Sequence, residues 1–421
     1  MGFSPGSKGW ISKYGDYINR GKIIVDVEKP KDLSLEHFAH LQLSQSGIVF
    51  GFPTEFIFLN QLKLKEETNW TTEEKLKLLL FESQLFIFVL NGGDVLNDFD
   101  SFLDSLNEYY GKYSFPTVHK LTSFFLKETQ VERLEYILEK RIDIKQNFID
   151  NALWVNYLNN SFVYLDVILY HEFIKTKKAI VDSNFEELAL DVLKTIVISA
   201  FADGEMQPTE RIMFDVFLAS ANLSEPRKKL AIHYFKNGAT FTDLSALFSH
   251  IWLFKRFLID ISVLTMYSNH DTISQEKEFL YRFCDFLHIP REELNETIVS
   301  IEQFVVTHAD KISFLKNRST VEHIYDNISK RWIKILGRNK EKLIAEIKQS
   351  KELMQLIKKS TTEDLTKEEK EKVKIQFMDI VKTMPAITIF MLPGGAILLP
   401  IVLKIIPTLI PSAFRDNEIE A

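Results

Sequence analysis

The sequence predicts an all-α protein of multi-helical bundles that ends in a hydrophobic, proline-broken membrane segment. Three observations carry this expectation. Among 421 residues there are only 15 Gly and 12 Pro but 34 Phe, the balance of a helical, aromatic-packed interior with few tight turns. Apolar residues follow a helical pattern through most of the first 165 positions. Five of the 12 prolines, Pro385, Pro393, Pro400, Pro407 and Pro411, lie within residues 385–411.

The length fits two to three domains. The expected division is an N-terminal helical domain over 1–165, a second helical domain over 180–310, and a C-terminal region over 325–421 that contains the membrane segment 383–414. Apolar residues at 46% and charged residues at 26% exclude a disordered tail, a collagen and a disulfide-stapled module. A single Cys284 forms no internal disulfide; it points to a reducing compartment or to indifference to redox state. Residues 1–22 lack the apolar core of a secretory peptide, and Gly6 stands where a myristoylation signal needs Ser or Thr.

Within the first domain, loops are expected at 29–32, 44–53 and 91–94. Thr71-Thr72-Glu73-Glu74 reads as a capping box opening a helix that runs towards Leu90. That helix is apolar on more than one face (Leu76, Leu78, Leu79, Phe81, Leu85, Phe86, Phe88), so it should be buried between neighbours. Asp94, Asp98, Asp100 and Asp104 lack the sixth-position Gly and twelfth-position Glu of a calcium loop, and a solvated helical face is expected.

Between residues 185 and 304 a theme occurs twice. An apolar helix, Leu188 to Phe201, ends at Ala202-Asp203-Gly204-Glu205, and Gln207-Pro208-Thr209-Glu210 opens the next helix with Pro near its first position. A second apolar run, Phe257 to Tyr267, turns at Ser268-Asn269-His270-Asp271, and Ile273 starts another helix through Phe286. The pair of turns resembles the tellurite-resistance TerB-like family, whose helical domains carry an Ala-Asp-Gly-Glu turn in each half. The second turn departs from that pattern, with His270 and Asp271 at the expected Asp and Gly positions. The resemblance implies Asp203, Glu205 and Glu210 as metal ligands for a hard cation; a Gly cap with carboxylates serving the next helix N-terminus is the alternative.

Other chemistry-bearing residues do not assemble. His171-Glu172 begins like a zincin motif, but Lys175 occupies the second ligand position. His37 and His40 share a helix face and, with no acidic or Cys partner nearby in sequence, are expected at the surface. Cys284 sits in an apolar helix as core packing. There is no phosphate-binding loop, nucleophile elbow or dinucleotide fingerprint, so no enzyme and no cofactor are expected.

The formal charge of −7 hides an asymmetry. Residues 311–382 carry 18 Lys and Arg against 11 Asp and Glu, and the remainder carries 33 against 47. A basic block on an acidic chain faces an anionic surface, nucleic acid or lipid. Residues 383–403 follow it without a charge and are long enough to cross a hydrocarbon core of ~30 Å. Upstream basic residues put that flank on the cytoplasmic side and attract anionic lipid. Gly394, Gly395 and the prolines suit a broken, re-entrant or hairpin segment; a buried core helix is the alternative.

Thr366 with Glu369 opens a charged helix, and the chain continues as Pro385-Ala-Ile-Thr-Ile-Phe-Met-Leu-Pro393, then Leu399-Pro-Ile-Val-Leu-Lys404-Ile-Ile-Pro407-Thr-Leu-Ile-Pro411-Ser412-Ala-Phe414. This cadence resembles the LETM family of leucine-zipper, EF-hand-containing transmembrane proteins. The resemblance covers about 90 residues at the C-terminal end and implies a membrane motif of Pro385, Pro393, Pro400, Lys404, Pro407, Pro411, Ser412 and Phe414. It also implies the start of a ribosome-binding region. The sequence ends seven residues after Phe414, so the helical domain with coiled coil and EF-hand that follows the motif in the family is not expected.

Three functional readings follow. The first is a membrane-attached LETM-like protein in cation homeostasis or membrane organisation. In a homo-oligomer its broken helices would offer carbonyls to ions, with Lys404 either functional at membrane depth or snorkelling to the interface. The second is an interaction module for a ribosome or another protein, anchored by its C-terminal segment. Its basic residues are interleaved with Glu and lack a set of stacking aromatics. The third is a soluble, metal-responsive TerB-like protein with a buried tail. Membrane lipid is a partner in the first two and specific DNA binding is expected in none. The upstream domains are expected on the cytoplasmic side of a bacterial inner membrane.

Overall fold

Helix starts in this chain are written as caps. Thr71 and Glu74 form a capping box, the Thr71 hydroxyl accepting from the Glu74 N–H at 3.2 Å and the Glu74 carboxylate from the Thr71 N–H at 2.7 Å. Thr129 and Glu132 repeat the arrangement, as do Thr366 and Glu369. Each satisfies two of the N–H groups that a helix start leaves without a partner. Ser34 and Asp98 cap with their side chains alone.

The computed structural model describes residues 3–61, 69–112, 129–143, 160, 162–177, 182–202, 204, 206–245, 250–268, 273–308, 340–360, 363–382 and 403. Among these residues there are fifteen α-helices and no strand, so the all-α expectation holds there. In chain order they are α1 Trp10–Asn19, α2 Leu35–Ser46, α3 Thr72–Leu90, α4 Phe99–Tyr109, α5 Gln130–Ile142, α6 Val163–Thr176, α7 Asp182–Ala200 and α8 Pro208–Ser220. They continue with α9 Glu225–Asn237, α10 Trp252–Ser268, α11 Ile273–Leu287, α12 Arg291–His308, α13 Lys340–Gln349, α14 Lys351–Lys359 and α15 Lys367–Lys382. The chain divides into two compact units, Met1–Ile289 and Pro290–Ala421.

In the first unit α3 packs against α2, α5 and α6, and α7 packs against α8, α9 and α10. The run of buried residues on α3 from Leu76 to Ile87 is unbroken, as its all-round apolar pattern requires. Phe81 is fully buried, with the rings of Trp10, Tyr14 and Phe102 at 5.1, 5.4 and 5.4 Å. These are edge-on contacts, the arrangement the ring quadrupoles favour.

The loop expected at 44–53 is shorter than its sequence suggested, because Ser44 to Ser46 complete α2. Gly47 ends the helix at φ +79, and a Cβ there would lie 2.0 Å from the Phe52 carbonyl oxygen. Only glycine satisfies both conditions.

Buried polar groups join the elements. Glu82 of α3 accepts from the Tyr14 hydroxyl at 2.6 Å and from the N–H groups of Ile57, Phe58 and Leu59 at 2.6, 3.1 and 2.9 Å. Glu135 of α5 accepts from the N–H groups of Gly9 and Ile11 at 2.9 and 3.0 Å, a cap for α1 supplied by another helix. Arg141 meets Asp166 through two bonds of 2.7 Å.

No helix among the described residues is long and apolar enough to cross a membrane. The expected membrane segment 383–414 lies outside the described residues except for Leu403.

Candidate functional site

In the second unit α13, α14 and α15 pack on one another over Leu343, Ile347, Leu353, Ile357, Val373, Phe377 and Ile380, all buried. Ser350 separates α13 from α14. Its hydroxyl caps α14 at the Leu353 N–H, at 3.3 Å, and bonds the Gln376 side-chain oxygen at 2.8 Å. Glu352 accepts from Lys372 at 2.9 Å and from Gln376 at 2.6 Å, while Lys359 donates to Glu369 at 2.8 Å. Contacts that advance along α14 therefore retreat along α15, which makes the two an antiparallel hairpin with a polar seam. The Lys359 ammonium and the Thr366 N–H lower the Glu369 pKa to about 2, and Lys372 with Gln376 lowers that of Glu352.

The seam leaves different chemistry on the two outer faces. On α14, Leu353 and Ile357 point inward, and Lys351, Gln355 and Lys358 are exposed on the opposite side. On α15, Glu368, Glu371, Ile375 and Asp379 are exposed, and Ile375 shows 52% of its surface. The sequence displayed this division, since α14 has one acidic residue, Glu352; a charge count over the whole basic block averages it away.

The eight residues of the membrane motif, Pro385, Pro393, Pro400, Lys404, Pro407, Pro411, Ser412 and Phe414, lie outside the described residues. So do Asp203 and Glu205 of the acidic turn. Glu210 is buried, and its carboxylate accepts from the Gln207 N–H at 2.7 Å at the start of α8. Gly204 in the same turn has φ +103. Among the described residues no group of three or more His, Cys, Asp or Glu side chains could hold a metal ion.

Several side chains sit where sequence reasoning did not put them. His40 is buried rather than at the surface, because Asp260 of α10 reaches it across the core, Oδ2 to Nε2 at 3.4 Å. Trp252 lies beside both histidines, with ring centroids 5.7 Å from His37 and 6.1 Å from His40. Arg256, fully buried, has its guanidinium 5.7 Å from the same indole. Burial and Asp260 push the Tyr164 hydroxyl above its ordinary range. His171 is buried on α6 with Nδ1 at 3.7 Å from Glu172, and Cys284 is buried as expected. Asp98 caps α4, Asp94 accepts from Asn97, and Asp104 accepts from Gln130. All three are exposed, as their solvated reading required.

No curated protein and no solved structure matches the chain. The family model described as LETM1-like, RBD, the LETM1-like ribosome-binding domain, matches residues 365–421, so the C-terminal segment from Leu365 onward is similar to that domain.

Proposed function

We propose that this is a membrane-attached, non-enzymatic LETM-like protein whose C-terminal hairpin engages the ribosome. The observation behind the reading is the match to a LETM1-like ribosome-binding domain over residues 365–421, which begins inside the folded hairpin and runs through the uncharged, proline-broken segment. The excess of Lys and Arg over residues 311–382 supports it, because a basic flank is retained on the cytoplasmic side of a membrane and attracts RNA phosphate. In this arrangement residues 383–414 attach the chain to lipid, and the helical body stands on the cytoplasmic side.

Two measurements test the reading. The full chain should stay with membranes through carbonate extraction and lose them when truncated before Thr383. It should also sediment with purified ribosomes, and a version ending before Leu365 should not. Recovery of the intact chain in the soluble fraction would sink the membrane attachment, and failure to sediment would sink the ribosome contact.

The prolines around Lys404 favour a second reading, cation homeostasis through an oligomeric membrane segment. Cation flux into liposomes carrying the purified chain, abolished by Lys404→Ala, is its signature. The turn at Asp203, Gly204 and Glu205 belongs to a further, TerB-like reading of the upstream helices, in which Glu210 would be a third ligand. Calcium or manganese should then raise the melting temperature of the wild type and not of Glu210→Gln.

A further inference from the structure

The geometry points to the outer face of α14, with Lys351, Gln355 and Lys358, as the surface that meets RNA phosphate, while the outer face of α15 is turned from it. The inference rests on the ribosome reading above and assigns that contact to one side of one helix.

Lys351 and Lys358 lie two helical turns apart, about 10 Å along the axis, and Gln355 stands between them. All three are exposed and opposite the inward Leu353 and Ile357. The acids that could neutralise this face are committed elsewhere. Glu352 is held on the seam by Lys372 and Gln376, and Glu369 by Lys359. The outer face therefore presents two ammonium groups and an amide, able to neutralise phosphates and to bond a ribose 2′-hydroxyl, which both donates and accepts. The α15 face presents Glu368, Glu371 and Asp379 around the exposed Ile375, and like charge repels phosphate from it.

The test uses the full chain in detergent with purified ribosomes, protein-free ribosomal RNA and phosphatidylglycerol vesicles as separate probes. Lys351→Glu with Lys358→Glu should weaken binding to ribosomes and to RNA by on the order of tenfold or more. Lys351→Gln with Lys358→Gln should flatten the salt dependence by about 1.4 in the log–log slope, two phosphate contacts at ~0.7 each. The double Arg variant should bind as the wild type does, and Glu368→Lys with Glu371→Lys should not weaken binding. Circular dichroism confirms that each variant folds. A charge-reversed pair that binds ribosomes like the wild type overturns the inference and leaves the ribosome reading standing. Loss confined to the vesicles overturns it in favour of lipid headgroups. A wild type that fails to sediment with ribosomes overturns the reading itself, and the inference with it.

Discussion

Lys372 and Glu352 meet at 2.9 Å across the seam between α14 and α15. Both side chains are more than half exposed, so water screens the attraction. What the pair contributes is register: with Gln376 and Ser350 it fixes which turn of one helix faces which turn of the other. The cohesion of the hairpin comes from the apolar residues beneath.

Phe377 is fully buried on α15 while Ile375, two positions away, is half exposed. Phe377→Ala removes a ring and leaves a cavity, a loss of about 3–5 kcal/mol. Ile375→Ala removes surface already in contact with water and should change stability by no more than about 0.5 kcal/mol. Hydrogen exchange over residues 340–382 separates the two: protection collapses in the first variant and stays in the second.

The Arg141 guanidinium and the Asp166 carboxylate share two bonds of 2.7 Å, with the Phe185 ring 4.5 Å from the guanidinium carbon. Asp166 holds the Arg141 pKa above its ordinary value. Asp166→Asn leaves a guanidinium in the core without its counter-charge. Breaking one partner of a buried pair costs about 3–5 kcal/mol, and because Arg141 keeps 18% of its side-chain exposure the lower end applies. A denaturant titration should show the midpoint fall with an unchanged slope.

Thr71 accepts from the Glu74 N–H at the start of α3. Thr71→Ala returns that N–H to water and should lower stability by about 1 kcal/mol, visible as a fall in melting temperature. Thr71→Ser keeps the acceptor and should remain near wild type.

That cap was legible in the sequence because donor and acceptor lie within one turn. The same holds for Thr366 with Glu369 and for Gln207-Pro208 with Glu210. The burial of α3 was legible as well, since apolar residues cover more than one of its faces. The pairing of Arg141 with Asp166 was not, and neither was the contact of His40 with Asp260. Helical periodicity records which face of a helix is apolar, but not which distant helix supplies a polar partner to a residue inside it. His40 looked like a surface histidine because Asp260 lies on α10. The outer face of α14 was legible in part: the spacing of Lys351, Gln355 and Lys358 is visible, but only the seam shows that Glu352 and Glu369 are held away from it.

Glu82 gives the chain a titration near neutrality. Burial pushes its pKa from 4.5 up to about 7, against the opposing effect of the Tyr14 hydroxyl and of the Phe58, Ile57 and Leu59 N–H groups, which favour the carboxylate. Between pH 4.5 and 7 the folded protein holds a proton on Glu82 that the unfolded chain has released. The stability linked to this group is therefore complete below pH 4.5, falls as the pH rises, and levels off above pH 7. A shift of this size corresponds to about 3 kcal/mol. Glu82→Gln has no proton to lose and should flatten that limb of the stability profile, although its amide meets N–H groups where an oxygen stood and lowers stability at every pH. Urea unfolding of both proteins from pH 4.5 to 8 checks the sign. A wild-type profile that rises through this window would mean that the N–H groups, rather than burial, control the carboxyl.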